Sequence, residues 1–182
     1  MNREDYKIHI IGAGVSGLIA AKTLEESGYR PTIIEATDGV GGRVKTDIIE
    51  EYQLDHGFQV LLDAYPRAKA HLDYSNLQLQ RFLPGAVIYK NGKSLRIGDP
   101  LRHFGFSDTI IAQFFKPFFT GIFLEPNLNT SSRMFEFVYK MFGQGYAVLP
   151  KDGIGAIPKQ LQEQLKYTKF IFNEKVDVVN DD

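Results

Sequence analysis

The chain has 182 residues, with 21 Lys and Arg against 22 Asp and Glu, no Cys and no Trp. That near-zero balance excludes a protein built mainly to grip nucleic-acid phosphates, which requires a basic surplus. The lack of Cys excludes a disulfide scaffold, a thiolate metal site and a Cys nucleophile, and 43% hydrophobic with 24% charged residues excludes a disordered chain.

Taken in order, residues 7–11 are a short Ile-rich run stopped by Gly12 and predict a buried strand. Val15, Leu18, Ile19 and Leu24 then recur at helical spacing, and Ser27-Gly28 predicts a left-handed stop to that helix. Residues 31–35 predict a second buried strand, so 7–35 read as a parallel β-α-β crossover. The apolar run 8–21 is not read as a secretion signal. Its leader is mixed in charge, it carries three glycines, and Lys22, Glu25 and Glu26 continue the helix. No stretch approaches the ~18–20 apolar residues of a spanning helix, and the expectation is a soluble, cytoplasmic protein.

Further along, residues 39–42 predict a Gly-rich loop and 64–72 a short amphipathic helix. Asn91-Gly92 between 86–89 and 94–97 predicts a hairpin. Residues 108–115, 132–142 and 157–165 have helical patterns, and 167–179 predict a strand-turn-strand or extended segment. The four His residues (His9, His56, His71, His103) are scattered without metal-ligand spacing, and no Ser/His/Asp set has a spacing signal. His56 reads as a loop residue, because nothing in the sequence gives it a partner.

Gly12-Ala13-Gly14-Val15-Ser16-Gly17 fits G-x-G-x-x-G between a predicted strand and a predicted helix. Gly12 suits the tight turn, Gly14 lets backbone approach a pyrophosphate, and Gly17 lets helix pack on strand. The pyrophosphate would sit at the helix N-terminus, where unpaired N–H groups and the dipole favour an anion. Glu35 follows Gly17 by 18 residues, at the end of the second strand. A carboxylate there accepts from ribose hydroxyls and repels a 2′-phosphate.

The next segment, Glu35-Ala36-Thr37-Asp38-Gly39-Val40-Gly41-Gly42-Arg43-Val44-Lys45-Thr46, resembles the E-A-x-x-x-x-G-G-R-x-x-T signature of flavin amine oxidases, protoporphyrinogen oxidases and phytoene desaturases. The resemblance implies FAD as cofactor. Gly41-Gly42 would let the loop lie against it, Arg43 would place a planar cation near the pyrophosphate or flavin, and Thr46 would help fix the loop. Leu54-Asp55-His56-Gly57-Phe58 occupies the place of the family's D-x-G segment, so Gly57 would pass close to the flavin. The stretch Leu149-Pro150-Lys151-Asp152-Gly153-Ile154-Gly155-Ala156-Ile157-Pro158 resembles the family's P-x-G-G-[ML] turn, with Gly-Ile-Gly in place of adjacent glycines. Residues 172–179 resemble the strand whose Val contacts the adenine, which assigns Val176 by position. An ordinary buried strand valine is the alternative. The middle region is similar to a bacterial and plant branch of these oxidoreductases. Its five Phe within 114–123 suit a packed helical core better than a substrate tunnel or a membrane contact.

The expected fold is α/β: a Rossmann-like FAD/NAD(P)-binding domain with a parallel sheet, plus part of a mixed α+β substrate domain. The expected boundaries are 1–85 for the N-terminal FAD-binding part, 86–148 for the substrate part and 149–182 for the return to the first domain. The resemblance also implies a later C-terminal segment completing the flavin domain, so the chain reads as truncated. The expected activity is removal of hydride or electrons from an apolar or amine small molecule to the flavin, with no metal and no nucleic-acid partner. The catalytic residues and the oligomeric state stay unassigned. An NAD-dependent dehydrogenase and a non-catalytic dinucleotide-binding fragment remain as alternatives.

Overall fold

Local chemistry explains the first turn of the chain in a computed structural model that describes residues 2–56, 60–83, 86–90, 92–97, 120 and 132–178. Strand β1 (His9–Ile11) runs into Gly12, whose φ of +96° is strained for any L side chain. Helix α1 (Val15–Glu26) follows. It ends in a Schellman motif: Gly28 takes φ +84°, its N–H donates to Glu25 O, and the Tyr29 N–H donates to Leu24 O. Strand β2 (Thr32–Ile34) comes next, then β3 (Thr46–Ile49), β4 (Tyr52–Asp55) and the short β5 (Leu61–Leu62). Helix α2 (Pro66–His71) begins with Pro at its first position, where no N–H is needed. Helix α3 (Tyr74–Leu77) is capped by the Asp73 carboxylate, which accepts from the Ser75 and Asn76 N–H groups. After it come β6 (Gln80–Arg81), β7 (Ala86–Lys90), β8 (Lys93–Ile97) and helix α4 (Ser132–Gln144). Strand β9 (Ala147–Leu149), helix α5 (Ala156–Glu163) and strand β10 (Lys169–Ile171) complete the described elements.

The chain divides into two compact units, one of residues 1–80 and 148–182, the other of 81–147. The first holds an all-parallel sheet in the order β1-β2-β10, with Ile10 and Phe170 both opposite Ile33. This is the Rossmann-like arrangement with a parallel sheet. Its core gathers Ala13, Leu18, Ala21, Ile33, Ile154, Ile157 and Leu161. Leu18, Ile33 and Leu161 are buried almost completely, each burial stabilising the unit by about 1.5–3 kcal/mol. Period-two alternation separates the two faces of β1. Ile10 packs on the core, whereas Ile11 is 57% exposed, so the strand is buried on one face only rather than throughout.

The second unit carries the β7–β8 hairpin, in which Lys90 pairs with Lys93 and Gly92 takes φ +74°. The two-residue connection agrees with the Asn91-Gly92 signal. Helix α4 buries Val138 and Met141, and the Arg81 guanidinium lies 4.1 Å over the Tyr146 ring. The helix expected at 108–115 and all five Phe of 114–123 lie outside the described residues.

One expectation is corrected at the C-terminal end. Residues 167–179 hold a single strand among the described residues, β10, which stops at Ile171. Asn173 adopts φ +59° and breaks the extended run. The Asn173 and Glu174 N–H groups then donate to Thr37 O and Glu35 O, beyond the end of β2.

Candidate dinucleotide site

Distances separate the three fingerprint glycines. A Cβ added to Gly17 would lie 2.1 Å from the Gly12 carbonyl oxygen, so α1 crosses the turn too closely for any side chain there. A Cβ added to Gly14, the N-cap of α1, would meet nothing within 4 Å. The helix has no side-chain cap and no acidic residue in its first turn. Its N-terminal N–H groups and the positive end of its dipole therefore lie beside open space with no carboxylate from the helix's own first turn. Ala13 is fully buried, Val15 is half-buried and Ser16 is exposed.

Glu35 is buried, and its carboxylate stitches two loops together. Oε2 accepts from the Ala13 N–H at 2.7 Å, while Oε1 accepts from the Thr37 N–H and hydroxyl, both at 2.9 Å. Burial pushes the carboxyl pKa up, but hydrogen bonds from Ala13, Thr37 and Ala36 outweigh it and hold the group below its ordinary 4.5. A carboxylate offers about four acceptor positions, and Ala13, Thr37 and Ala36 engage them from the protein side. Ala36 itself is exposed.

The Gly41-Gly42-Arg43 loop lies directly on the fingerprint. The Gly41 N–H donates to Ala13 O at 2.9 Å, and Gly41 forms a parallel bridge with Gly14. Gly41 takes φ +120°, and a Cβ on it would sit 2.5 Å from Val44 O. A Cβ on Gly42 would come within 3.7 Å of the Gly14 Cα. Arg43 is exposed and carries no hydrogen bond or ion pair to the described residues. Glu35, Gly41 and Gly42 are thus brought to the turn between β1 and α1.

Behind that loop is a hydrogen-bonded knot around Thr46, a residue expected to help fix the loop but whose partners the sequence did not name. The Thr46 hydroxyl donates to Asp55 Oδ1 at 2.5 Å across the β3–β4 pair, where the two residues are in register. The same Oδ1 accepts the Ile154 N–H at 3.0 Å, and the Thr46 oxygen accepts the Gly155 N–H at 2.8 Å. Gly153 and Gly155 permit this approach: their added Cβ atoms would lie 2.5 Å from Thr46 Oγ1 and 2.9 Å from the Thr46 nitrogen, respectively. The Gly-x-Gly spacing was the signal available for it.

The remaining expected site residues fall elsewhere. Gly57 lies outside the described residues. Val176 is half-buried in the segment after β10, not in a strand, because the turn at Asn173 ends the pairing first. His56, expected without a partner, has its Nε2 2.7 Å from Asp47 Oδ2 on the exposed hairpin surface. An apolar cavity of about 590 Å³ is lined by Val15, Ile19, Val44, Leu72, Ile157 and Leu161 among others. Among the described residues no cluster of three His, Cys, Asp or Glu could hold a metal, and no helix is long and apolar enough to cross a membrane.

Residues 10–75 match the NAD(P)-binding Rossmann-like domain family. An L-amino-acid oxidase of Siganus canaliculatus is 60% identical over 37 residues, covering 20% of this chain and 7% of that protein. The flavin-dependent L-tryptophan oxidase RebO of Lentzea aerocolonigenes is 50% identical over 46 residues, covering 25% of this chain and 10% of that protein. Over these stretches the chain is similar to flavin-dependent amino-acid and amine oxidases. The cofactor that this similarity supports is FAD. The fold agrees over a longer span. An oxidoreductase structure from Methanosarcina mazei superposes with a TM-score of 0.63 at 18% identity, covering 92% of this chain and 51% of that one. The matched stretches therefore span a tenth or less of the two oxidases, and the fold match about half of the solved chain.

The residues present fit that cofactor. The open space at Gly14, the uncapped start of α1 and the exposed Arg43 cation suit an anionic pyrophosphate. The Glu35 carboxylate, held charged beside that turn, is an acceptor of the kind a ribose hydroxyl seeks.

Proposed function

We propose that this flavin amine oxidase-like chain forms the FAD-holding part of an oxidoreductase that takes hydride or electrons from a small apolar or amine substrate. When bound, the flavin supplies the redox chemistry. The observation that carries this reading is the direct bridge between Gly14 and Gly41, which joins the pyrophosphate fingerprint to the loop bearing Arg43. The chain's own residues have positional tasks. The α1 N-terminus and the Gly12, Ala13, Gly14, Val15, Ser16 and Gly17 backbone hold the pyrophosphate. Glu35 accepts from the ribose while tying Ala13 and Thr37, with Ala36 alongside. Gly41 and Gly42 keep side chains out of the space beside Gly14, and Arg43 adds a planar cation. Gly57 and Val176 are proposed to approach the flavin ring and the adenine. Residues 1–85 and 149–182 are proposed as the FAD-binding domain and 86–148 as the substrate domain.

The test is direct. Purified protein reconstituted with FAD is expected to keep a flavin absorbance band after desalting, and to bind FAD far more tightly than NAD in calorimetry. Gly14→Val would fill the open space and is expected to weaken FAD by about a hundredfold, equivalent to about 2.7 kcal/mol, with the fold retained. Tight NAD binding with no response to FAD would reverse the reading.

A further inference from the structure

Three glycines in two distant segments, Gly41 and Gly153/Gly155, are crowded against the same short stretch of chain, Val44 to Thr46. One group serves both. The Thr46 hydroxyl and Asp55 Oδ1 together take up the Gly155 and Ile154 N–H groups, 109 and 99 residues away in sequence. Thr46 stands three residues after Arg43 and five after Gly41, and the Val44 N–H closes the intervening turn on Gly41 O at 3.0 Å. The other side of that turn is braced by α5, since a Cβ on Gly41 would lie 3.2 Å from Pro158 Cγ. The Lys45 carbonyl accepts the His56 N–H at 2.9 Å, which extends the β3–β4 pairing back toward the loop. The position of Gly41-Gly42-Arg43 against Gly14 is therefore set from behind, by hydrogen bonds that do not themselves reach the open space.

We infer that Asp55, acting through Thr46, is a positioning residue for the cofactor loop: it holds Gly41-Gly42-Arg43 in the register that admits a dinucleotide pyrophosphate beside Gly14. The inference rests on the FAD-binding reading above. Its physical basis is the cost of leaving partly buried donors unpaired. Without Oδ1, the Ile154 N–H and the Thr46 hydroxyl lose their acceptor, and the turn joining Thr46 to Gly41 relaxes. Glu35 does not take over these donors, because its carboxylate is engaged by Ala13 and Thr37.

The experiment measures the FAD dissociation constant by quenching of flavin fluorescence, alongside the melting temperature without FAD. Thr46→Val removes the hydroxyl at nearly constant volume, and Asp55→Ala removes the hub. Both are expected to weaken FAD by about tenfold or more, on the scale of one unpaired donor. Thr46→Ser and Asp55→Asn keep the oxygen atoms involved and are expected to stay within about threefold of the unaltered protein. Glu25→Gln, at the far end of α1, lowers the melting temperature through contacts remote from this loop and is expected to leave FAD affinity unchanged. It separates positioning from general loss of stability.

The inference is overturned if Thr46→Val and Asp55→Ala keep FAD affinity, or if Glu25→Gln weakens FAD as much as they do. If Asp55→Ala does not fold, the pair Thr46→Val and Thr46→Ser decides alone. Gly14→Val separates the two levels. If it weakens FAD while the Thr46 and Asp55 variants do not, only the positioning role fails. If it leaves FAD binding intact, the site reading and this inference fall together.

Discussion

The two ends of α1 use the same chemistry for different ends. At its start, the Glu35 carboxylate collects the Ala13 and Thr37 N–H groups. At its finish, the Glu25 carboxylate collects the Lys166, Tyr167 and Thr168 N–H groups and the Thr168 hydroxyl at 2.5–3.0 Å, fixing the approach to β10. Both carboxyls are buried enough to be pushed up in pKa, and in both the hydrogen bonds prevail and hold it below 4.5. Neither charge nor pKa tells the two apart. Space does. Beside Glu35 the glycine loop leaves an opening in which a Cβ on Gly14 meets nothing, whereas the Glu25 bonds close a junction within the chain. A carboxylate caught by backbone N–H groups is thus a stitch by default. It becomes part of a candidate site when glycines keep the neighbouring volume open.

The sharpest way to break the contrast is at the packed glycine. Gly17→Ala would drive a methyl group into the Gly12 carbonyl oxygen, 2.1 Å away, and is expected to destabilise the first unit by about 3 kcal/mol. Thermal or denaturant unfolding reads this, and the loss should appear with or without FAD. Glu25→Gln and Glu35→Gln sharpen the contrast at lower cost. Each weakens a set of charge-assisted hydrogen bonds, with an expected loss of about 2 kcal/mol. Only Glu35→Gln should also weaken FAD, by about tenfold in a fluorescence titration; equal effects on affinity would erase the distinction drawn here.

The smallest effect is in acid. A carboxyl whose folded pKa lies below its unfolded value stabilises the fold above the unfolded value, and that contribution disappears as pH falls through the folded one. Both glutamates have this sign. Melting temperature is therefore expected to hold through neutral pH and to fall below the ordinary carboxyl value of 4.5. The fall should be shallower in either Gln variant.

Much of the first unit was legible because its signals are local. The turn at Gly12, the stop at Gly28 and the helical spacing of Val15, Leu18, Ile19 and Leu24 are each set within a few residues. The β3–β4 pair was harder to see, since Thr46–Ile49 has no turn signal comparable to Asn91-Gly92. The segment after β10 was misjudged because one left-handed residue, Asn173, outweighed a run of strand-favouring side chains. His56 looked solitary because its partner, Asp47, lies on the neighbouring strand.

The sequence by itself determined the fingerprint and the resemblance to flavin amine oxidases that points to FAD, since these depend on residue types at short fixed spacings. Tertiary structure decided what each residue is joined to. It set Glu35 to hold Ala13 and Thr37, laid Gly41 on Gly14, and brought Gly155 to Thr46 across 109 residues. Hydrogen bonds are short and directional, so which donor meets which acceptor emerges only once the sheet and helices have fixed the distances.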